Sequence, residues 1–513
     1  MNDQYKRITA LFRTDILFAV LIGLSALALY IRTLAPSLLW GDSAEFQTLS
    51  YTLGMTHPSG YMTQIMLGKL FTYIPMGNIA YRVNLMSAFF GALAVAQVYL
   101  IVRMLGGLSI AGISASMMLA LSELFWRRAL VAESYAIAAS MVATIWLLFL
   151  FWRSTQKWGY LFAAGLVGGL SMGIHSTVLM TAISVLIIMA MTTRKLADWS
   201  GAAAGALLGV GLTFSFFLYL DHHDPPSSIY NTVFRPSLSA IGLTTNDFDT
   251  ALERFFAIFP AQHFWDYYFT ASPQEVSGRL VEYLSFYPAW AVILILIGIF
   301  ALFKHDWHNG LYSLIAFLIV WGFAVAVAFS AYQEFYTPAA IFVYVWFGLG
   351  ASIILEQIFQ KQQVGTRVLQ IVVSILLIAL PLWQSRRDLN LAITSGYTTF
   401  VRRDHIYPIF SPDKAIRDAM KIINRIEDDA IVFADWDKLY SYIYTAHIEQ
   451  GRTSMAFHEA WITDNPSLAQ TTLAYIDANI DVRPIYFTVF MPELTELYQV
   501  EQINNTLYRI RRK

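Results

Sequence analysis

The chain has 513 residues, of which 57% are hydrophobic, 15% are aromatic and only 13% are charged. Soluble domains carry about 25% charged residues, so this composition excludes a protein that is soluble throughout and indicates extensive contact with lipid. The formal net charge of −1 excludes a generally basic nucleic-acid binder, and the absence of cysteine excludes disulfides and thiolate metal sites.

The remaining charge is unevenly distributed along the chain. Residues 384–513 hold 32 of the 69 charged residues, although they form only a minor part of the length. This shift in composition predicts two parts: a transmembrane domain over residues 1–383 and a soluble α/β domain over residues 384–513.

Apolar segments long enough to cross a bilayer recur through the first of these parts. A hydrocarbon core about 30 Å thick needs about 20 apolar residues per helix. The first segment is too long for the apolar region of a cleavable signal peptide, so we expect it to stay in the mature protein. The sequence predicts eleven spans, near residues 14–34, 83–102, 108–125, 136–152, 158–174, 176–192, 200–220, 284–303, 310–330, 338–356 and 367–383.

Basic residues set the predicted orientation, because cytoplasmic loops of membrane proteins carry an excess of Lys and Arg. The short apolar stretch 61–75 is predicted as a helix at the membrane interface, since counting it as a span would reverse every later loop. The soluble domain is then extracytoplasmic. With a cytoplasmic N-terminus, the following basic residues all fall on the cytoplasmic side: Arg103, Arg153, Lys157, Arg194, Lys195, Lys304, Lys361 and Arg367.

The soluble domain shows alternating helical and strand-like patterns. Helices are predicted near 412–427, 437–450 and 466–479, and strand-like runs occupy 430–434 and 484–488. Alternation of this kind favours a small, partly parallel sheet covered by helices.

The first predicted outer loop, residues 35–82, contains two acids three residues apart. The segment reads Trp40-Gly41-Asp42-Ser43-Ala44-Glu45 and continues to His57-Pro58-Ser59-Gly60-Tyr61. One interpretation is an acidic helix start in which Asp42 is the N-cap. The other is a general base with a second acid or metal ligand beside it.

Further polar groups lie in the later outer loops. Arg127, Arg128 and Tyr135 fit an interfacial belt of arginine and aromatic residues, whereas Glu133 among Ala and Val needs another explanation. His175 lies at a predicted helix end, where a structural role is as reasonable as a functional one. In the long outer loop, 221–283, the run Asp221-His222-His223-Asp224 has metal-ligand residue types, but adjacent side chains point apart.

These candidate groups all fall on the predicted outer side, which indicates a site at a membrane surface. A coupled transporter would instead need ionisable groups near the middle of the bilayer. The alternative of a transporter or flippase for a lipid-linked or small polar substrate remains open, as does a non-catalytic scaffold.

Several of these segments resemble the GT-C superfamily of polytopic glycosyltransferases, most closely its protein O-mannosyltransferase-like branch. Ser59 and Met62 stand where that branch is expected to have proline. The resemblance covers most of residues 35–195 well and the rest more loosely. It is carried by Trp40-Gly41-Asp42-Ser43-Ala44-Glu45-Phe46, by His57-Pro58-Ser59-Gly60-Tyr61, by Ala80-Tyr81-Arg82-Val83-Asn84-Leu85, by residues 125–135 and 173–175, and by 430–437.

The resemblance implies a GT-C-like fold and an inverting glycosyltransferase in the membrane, with the bacterial inner membrane as the expected location. The donor would be a polyprenyl-phosphate sugar, with mannose as the candidate sugar, and the acceptor a protein, glycan or lipid hydroxyl. A divalent cation, Mg²⁺ or Mn²⁺, is a candidate cofactor. Asp42 is the expected catalytic base and Glu45 the second candidate catalytic residue. For Glu45, Glu133 and His175 the roles of second acid, acceptor contact and metal ligand stay open. The candidate substrate-binding residues are His57, Tyr61, Arg82, Arg127, Arg128, Glu133, Tyr135 and His175.

Overall fold

A computed structural model describes residues 14–259, 262–328, 332–359, 364–403, 406–462 and 467–513. They pack into two compact units, each assembled from separate stretches of chain. The helical unit contains the described residues of Met1–Leu34, Ser87–Thr213 and Phe264–Ile406. The α/β unit contains Ala35–Met86 and the described residues of Phe214–His263 and Tyr407–Lys513. The first predicted outer loop therefore belongs to the same unit as the C-terminal sheet.

The chain is a multi-pass membrane protein. Two pairs of helices in the described residues, Ser109–Ala120 with Glu123–Ala129 and Pro273–Ser285 with Ala289–His305, are apolar enough to span but bend by 60° and 98°. Two shorter apolar helices are Gly159–Ser171 and Ser176–Thr192. Seven further helices of the described residues are long and apolar enough to cross a bilayer: Thr14–Arg32, Ile79–Met104, Tyr135–Thr155, Leu196–His223, Trp307–Ala326, Tyr332–Ile358 and Arg367–Gln384.

Each of the eleven predicted spans coincides with one of these helices or bent pairs. By length and apolar character, seven helices of the described residues qualify as spans, or nine with the bent pairs included. The count of eleven therefore stays a prediction. The end of the span predicted at 310–330 lies outside the described residues.

The helical unit is built around one buried helix. In the helix Tyr332–Ile358, 89% of the residues in its apolar 18-residue stretch are buried. In the helix Arg367–Gln384, only 11% of the corresponding residues are buried. Apolar side chains such as Ile371 and Ile375 remain exposed on the second helix. The first helix is therefore at the centre of the unit, and the second presents an apolar surface suited to lipid.

Glycines allow the closest helix contacts in this unit. A Cβ atom on Gly298 would collide with the carbonyl oxygen of Trp346, and one on Gly350 with that of Leu294. Small residues let membrane helices approach to backbone contact, where van der Waals packing holds them together. The helices Ala289–His305 and Tyr336–Phe359 are joined in this way.

The α/β unit contains a five-stranded sheet made of β1 Ile431–Ala434, β2 Ala456–Glu459, β3 Ile485–Phe487, β4 Gln499–Asn504 and β5 Leu507–Arg511. The strand order is β2-β1-β3-β5-β4. β1 pairs in parallel with β2 and β3, while β5 pairs antiparallel with β3 and β4. The predicted partly parallel sheet is thus confirmed, although only β1 and β3 had been predicted.

Shorter helical segments complete the described structure. The helices of the α/β unit are Gly41–Thr52, Met62–Thr72, Arg235–Ser237, Ala251–Ile258, Lys414–Ile423, Trp436–Ile443, Gln470–Asn479 and Pro492–Leu497. Those near the end of the helical unit are Arg386–Ser395 and Thr399–Arg403. Single turns of other helical types occupy Arg127–Ala129, Tyr230–Phe234, Leu238–Ile241, Thr245–Asp247, Gln262–Tyr267, Tyr332–Phe335 and Tyr444–Glu449.

The parallel strands define an edge of the sheet that carries polar residues. All four residues of β1 are buried, and the rings of Phe433 and Phe487 stack with centroids 4.7 Å apart. Because β1 and β2 run parallel, their carboxyl ends meet at the same edge, where Ala434 is the register partner of Glu459. Ligand sites of parallel sheets commonly form at such an edge.

Candidate active site

The two predicted acids lie in the first turns of the helix Gly41–Thr52. The N-cap is Trp40, in an extended conformation, and no side chain caps the helix. The interpretation of Asp42 as the N-cap is therefore wrong, whereas the acidic helix start is confirmed, because Asp42 lies in the first turn. The chain turns at Gly41, where φ is +57°, and the helix begins two residues earlier than an N-cap at Asp42 would place it. The Asp42 carboxylate is consequently not used for capping.

Glu45 is fully buried and binds His57 through both of its oxygens. The backbone N–H of His57 donates to Oε1 at 2.7 Å, and the ring Nδ1 lies 2.5 Å from Oε2. Burial raises the pKa of Glu45, and the contacts with His57 oppose that rise. Glu45 therefore fixes the position and orientation of the histidine.

Asp42 lies on the other side of His57 and is the exposed member of the group. Its side chain is 48% exposed, whereas that of Glu45 is 0% exposed. Asp42 Oδ2 lies 4.0 Å from Nε2 of His57. Asp42 Oδ1 accepts a hydrogen bond of 2.8 Å from Nε1 of Trp436. The three side chains Glu45, His57 and Asp42 thus form a row that runs from the interior to the surface.

Aromatic rings enclose His57. Its ring centroid lies 5.0 Å from that of Tyr61, 5.9 Å from that of Phe46 and 5.8 Å from that of Trp436. Tyr61 has a positive φ of 40°, which turns the chain into the helix Met62–Thr72. Of the predicted site residues, Asp42, Glu45, His57 and Tyr61 are therefore brought together.

Two residues of this group were not among the predicted site residues. Trp436 is the second residue after β1, and Glu459 ends β2 at the same sheet edge. Burial raises the pKa of Glu459 to about 8, and the charges of Glu45 and Asp435 add to this rise. The position of Trp436 just after the predicted strand 430–434 could have marked it as a site residue, because ligand sites form at the carboxyl ends of parallel strands. Glu459 could not be found in this way, because β2 is not predicted from the sequence.

His458, next to Glu459, is a buried and neutral group. Its Nδ1 lies 2.9 Å from the carbonyl oxygen of Asn231, and its Nε2 lies 3.0 Å from the hydroxyl of Tyr475. Burial lowers the pKa of His458 to about 4. With both ring nitrogens hydrogen-bonded, this histidine ties strand β2 to the segment around Asn231.

The side chain of Arg82 hydrogen-bonds to the backbone of the turn that precedes its helix. Its guanidinium donates to the carbonyl oxygens of Thr72, Met76 and Gly77 at 2.8 to 3.1 Å. These bonds close the connection between the helices Met62–Thr72 and Ile79–Met104. The geometry thus gives Arg82 a structural role and lends no support to its predicted role in substrate binding.

A second group of predicted residues lies in the helical unit. Arg128 forms an ion pair of 2.8 Å with Glu334 and lies 5.9 Å from the ring centroid of Tyr135. The ring of Tyr135 packs against His175, with centroids 5.2 Å apart. His175 caps the helix Ser176–Thr192 by accepting a hydrogen bond from the backbone N–H of Thr177.

Two other predicted residues lie near this group along the chain. Arg127 begins the turn Arg127–Ala129 that contains Arg128. The backbone of Glu133 exchanges hydrogen bonds with the hydroxyl of Ser87. Arg403 pairs with Glu123.

The described residues contain no group of three or more His, Asp or Glu side chains placed to hold a metal ion. In the run 221–224, Asp221 forms an ion pair with Arg254 and Asp224 forms one with Arg235, both at 2.7 Å. The donor set offers no ready cation site, and the Mg²⁺ or Mn²⁺ cofactor stays a prediction.

Residues 42–198 match the family described as the N-terminal domain of the protein O-mannosyl-transferase TMEM260. The predicted resemblance is confirmed. The matched segment contains all ten predicted site residues. Protein O-mannosyl-transferase TMEM260 of Mus musculus is 37% identical over 120 residues, and that of Dictyostelium discoideum is 27% identical over 136 residues. These segments cover 23% and 26% of this chain but only 17% of each relative.

The fold resembles a solved membrane-protein structure over nearly its whole length. The crystal structure of ArnT from Cupriavidus metallidurans, bound to undecaprenyl phosphate, matches with a TM-score of 0.57. The match covers 96% of this chain and 97% of ArnT at 11% sequence identity. At this identity the likeness shows the fold alone, and it confirms the GT-C-like fold predicted from the sequence.

Proposed function

We propose that this protein is an inverting glycosyltransferase that moves a sugar from a polyprenyl-phosphate donor to an acceptor hydroxyl at the outer membrane face. The observation that carries the proposal is the half-exposed Asp42 carboxylate, held between His57 and Trp436. The names of the TMEM260 relatives support mannose as the sugar. Undecaprenyl phosphate bound to ArnT supports a polyprenyl phosphate as the carrier.

Asp42 acts as the general base in this proposal. Its carboxylate takes the proton of the acceptor hydroxyl, whose oxygen attacks the anomeric carbon from the face opposite the phosphate. The new carbon–oxygen bond forms while the bond from the anomeric carbon to the phosphate oxygen breaks, and the electron pair leaves with the phosphate. A general base must come within about 3 Å of the proton it removes, and the exposure of Asp42 allows that approach.

Glu45 and His57 position the base. Both oxygens of Glu45 are occupied by His57, so Glu45 acts through the histidine. The fixed imidazole presents Nε2 toward Asp42 Oδ2. A buried carboxylate that orients a histidine is a recurring arrangement in enzymes, because it sets the direction of the ring and its tautomer. In this proposal Glu45 positions His57 and does not itself exchange a proton with the substrate.

The leaving phosphate needs positive charge or hydrogen-bond donors. Arg82 and Arg403 have other partners in the structure. Arg128 is also paired, with Glu334, and the roles of Arg127 and Arg128 in substrate binding stay predictions. No step of the proposed reaction is assigned to a divalent cation.

The transporter alternative receives less support from the helical unit. Asp15 pairs with Arg103 at 2.6 Å, and Arg153 pairs with Asp306 at 2.7 Å. These charges lie at the ends of their helices. Transport coupled to ions would be expected to use ionisable groups deeper in the bilayer.

The proposal is tested by a transfer assay with purified protein. Polyprenyl-phosphate [³H]mannose is supplied with a Ser- and Thr-containing peptide, a glycan and a lipid as separate acceptors. The wild type should label one acceptor, and Asp42→Asn should lower kcat by about 10²- to 10⁴-fold, the usual effect of losing a general base. The matched control Asp249→Asn, at an exposed position of the same unit, should retain wild-type transfer. Full transfer by Asp42→Asn would remove Asp42 as the base.

A further inference from the structure

We infer that Trp436, from the C-terminal part of the chain, is a positioning residue for Asp42 in the proposed reaction. The inference rests on the proposed function, and it assigns the C-terminal segment a part in the active site. The two residues are 394 positions apart in the sequence, yet the indole N–H donates directly to Asp42 Oδ1 at 2.8 Å.

Trp436 also contacts the other partner of Asp42. Its ring meets that of His57 edge-on, with an interplanar angle of 88° and centroids 5.8 Å apart. One side chain therefore fixes both the carboxylate and the imidazole beside it. A substitution of Trp436 should therefore change the orientation of the Asp42 carboxylate, the orientation of the His57 ring and the distance between them.

The position of the indole is set by the sheet. β1 is fully buried and ends at Ala434, and Trp436 is the first residue of the helix that follows. That helix is attached to the segment around Asp42 at two points. Ser441 donates to the carbonyl oxygen of Leu39 at 2.8 Å, and Thr48 donates to that of Tyr440 at 3.3 Å. The indole is therefore held by a rigid element rather than by a free loop.

The hydrogen bond distinguishes the two oxygens of Asp42. Trp436 occupies Oδ1 and limits rotation of the carboxylate, which leaves Oδ2, on the side of His57, as the oxygen that receives the proton. A base held in one orientation loses less freedom when the acceptor arrives, so the bond should act mainly on kcat.

The test compares Trp436→Phe with the wild type in the [³H]mannose transfer assay. Phenylalanine keeps an aromatic ring but has no N–H group. A hydrogen bond to a charged group is worth enough to predict a loss in kcat of about 10- to 100-fold. KM should change by less than about 3-fold, because ground-state binding is unaffected. The control Trp461→Phe, at a half-buried tryptophan packed on the sheet core, should behave as wild type.

A double-mutant cycle separates positioning from general damage. If Trp436 acts through Asp42, the double variant Asp42→Asn/Trp436→Phe should be no slower than Asp42→Asn alone. Apparent melting temperatures of the same four proteins should show the same coupling, with the double variant no less stable than the weaker single variant.

The two proposals fail in different ways. A wild-type protein that transfers no sugar from any polyprenyl-phosphate donor overturns the proposed function and the positioning role together. An active wild type that is matched by Trp436→Phe overturns the positioning role alone. Losses in kcat or melting temperature that simply add across the cycle also overturn it, because they show that the two residues act independently.

Discussion

The α/β unit and the helical unit each contain a group of charged side chains, and the two groups differ in how their charges are balanced. The acidic group of the α/β unit is Asp42, Glu45 and His57, and the arginine group of the helical unit is Arg128 with Glu334. In the first, Asp42 receives a neutral N–H donor and stays half exposed. In the second, Arg128 is 8% exposed and is neutralised by Glu334 at 2.8 Å. The half-exposed carboxylate of Asp42 can be reached by an acceptor hydroxyl, whereas the buried guanidinium of Arg128 is already paired with a carboxylate.

The same contrast extends to how each unit is held together. The helical unit depends on backbone contact at glycines such as Gly298 and Gly350. The α/β unit depends on hydrogen bonds between distant segments, such as that between Trp436 and Asp42. Substitutions in the helical unit should therefore affect folding, and substitutions in the acidic group should affect the reaction.

The largest effect is expected at a glycine contact in the helical unit. Gly298→Leu places a side chain against the carbonyl oxygen of Trp346, so the two helices must separate. We expect almost no folded protein in size-exclusion chromatography after extraction in mild detergent. Gly322→Leu is the matched control, because a Cβ atom there meets nothing within 4 Å. A folded, monodisperse Gly298→Leu protein would show that close packing does not hold this unit together.

The next largest effect is expected at Glu45. Glu45→Gln turns one of its two acceptors into an N–H₂ donor that faces a donor of His57. Transfer should fall by about 10- to 100-fold, because a hydrogen bond to a charged group is lost and the imidazole is free to turn. The protein should remain folded. Glu496→Gln, at an exposed residue of the same unit, should leave transfer unchanged. Equal rates for both variants would contradict the positioning role of Glu45.

A smaller effect is expected at the Arg128 pair. Arg128→Gln leaves the Glu334 carboxylate without its partner in a largely buried place. We expect the free energy of unfolding to fall by about 1 to 3 kcal/mol. Replacing both residues, as Arg128→Gln/Glu334→Gln, should restore part of this loss, as thermal melting can measure. A double variant as unstable as the sum of the single changes would show that the pair is not coupled.

The smallest effect is a dependence of stability on pH that arises from Glu459. Burial raises the pKa of this residue to about 8 in the folded protein, against 4.5 as its ordinary value. The folded state then holds a proton that the unfolded state has lost, so this contribution to stability is full below pH 4.5 and is lost as pH rises toward 8. Glu459→Gln should flatten the fall in melting temperature over this range. An unchanged slope would mean that Glu459 is ionised in the folded protein.

Much of the fold could be predicted from the sequence, because long apolar runs and alternating patterns are local signals. The long apolar helices and strands β1 and β3 belong to this class. β2, with the sequence Ala456-Phe-His-Glu459, has no alternation, and β4 is a polar edge strand that resembles a loop in composition. These strands are defined by their partners in the sheet rather than by their own residues.

The candidate site was only partly predictable for the same reason. The spacing of Asp42, Glu45 and His57 within one loop is visible in the sequence, and the structure brings them together. The partner of Asp42 is not visible, because Trp436 reaches it through the fold of the C-terminal sheet. The hydrogen-bond partners of Arg82 are not visible in the sequence either: its donors bind three backbone carbonyls of the adjacent turn, and its role in substrate binding stays a prediction.

The rate of sugar transfer by Asp42→Asn, measured beside its binding of undecaprenyl phosphate, tests the central claim most directly. If Asp42 is the base, kcat with polyprenyl-phosphate [³H]mannose should fall by about 10²-fold or more, while binding of the lipid phosphate stays within about 3-fold of the wild type, because only the transition state is affected. A variant that binds the lipid and transfers at a rate close to that of the wild type would contradict the account.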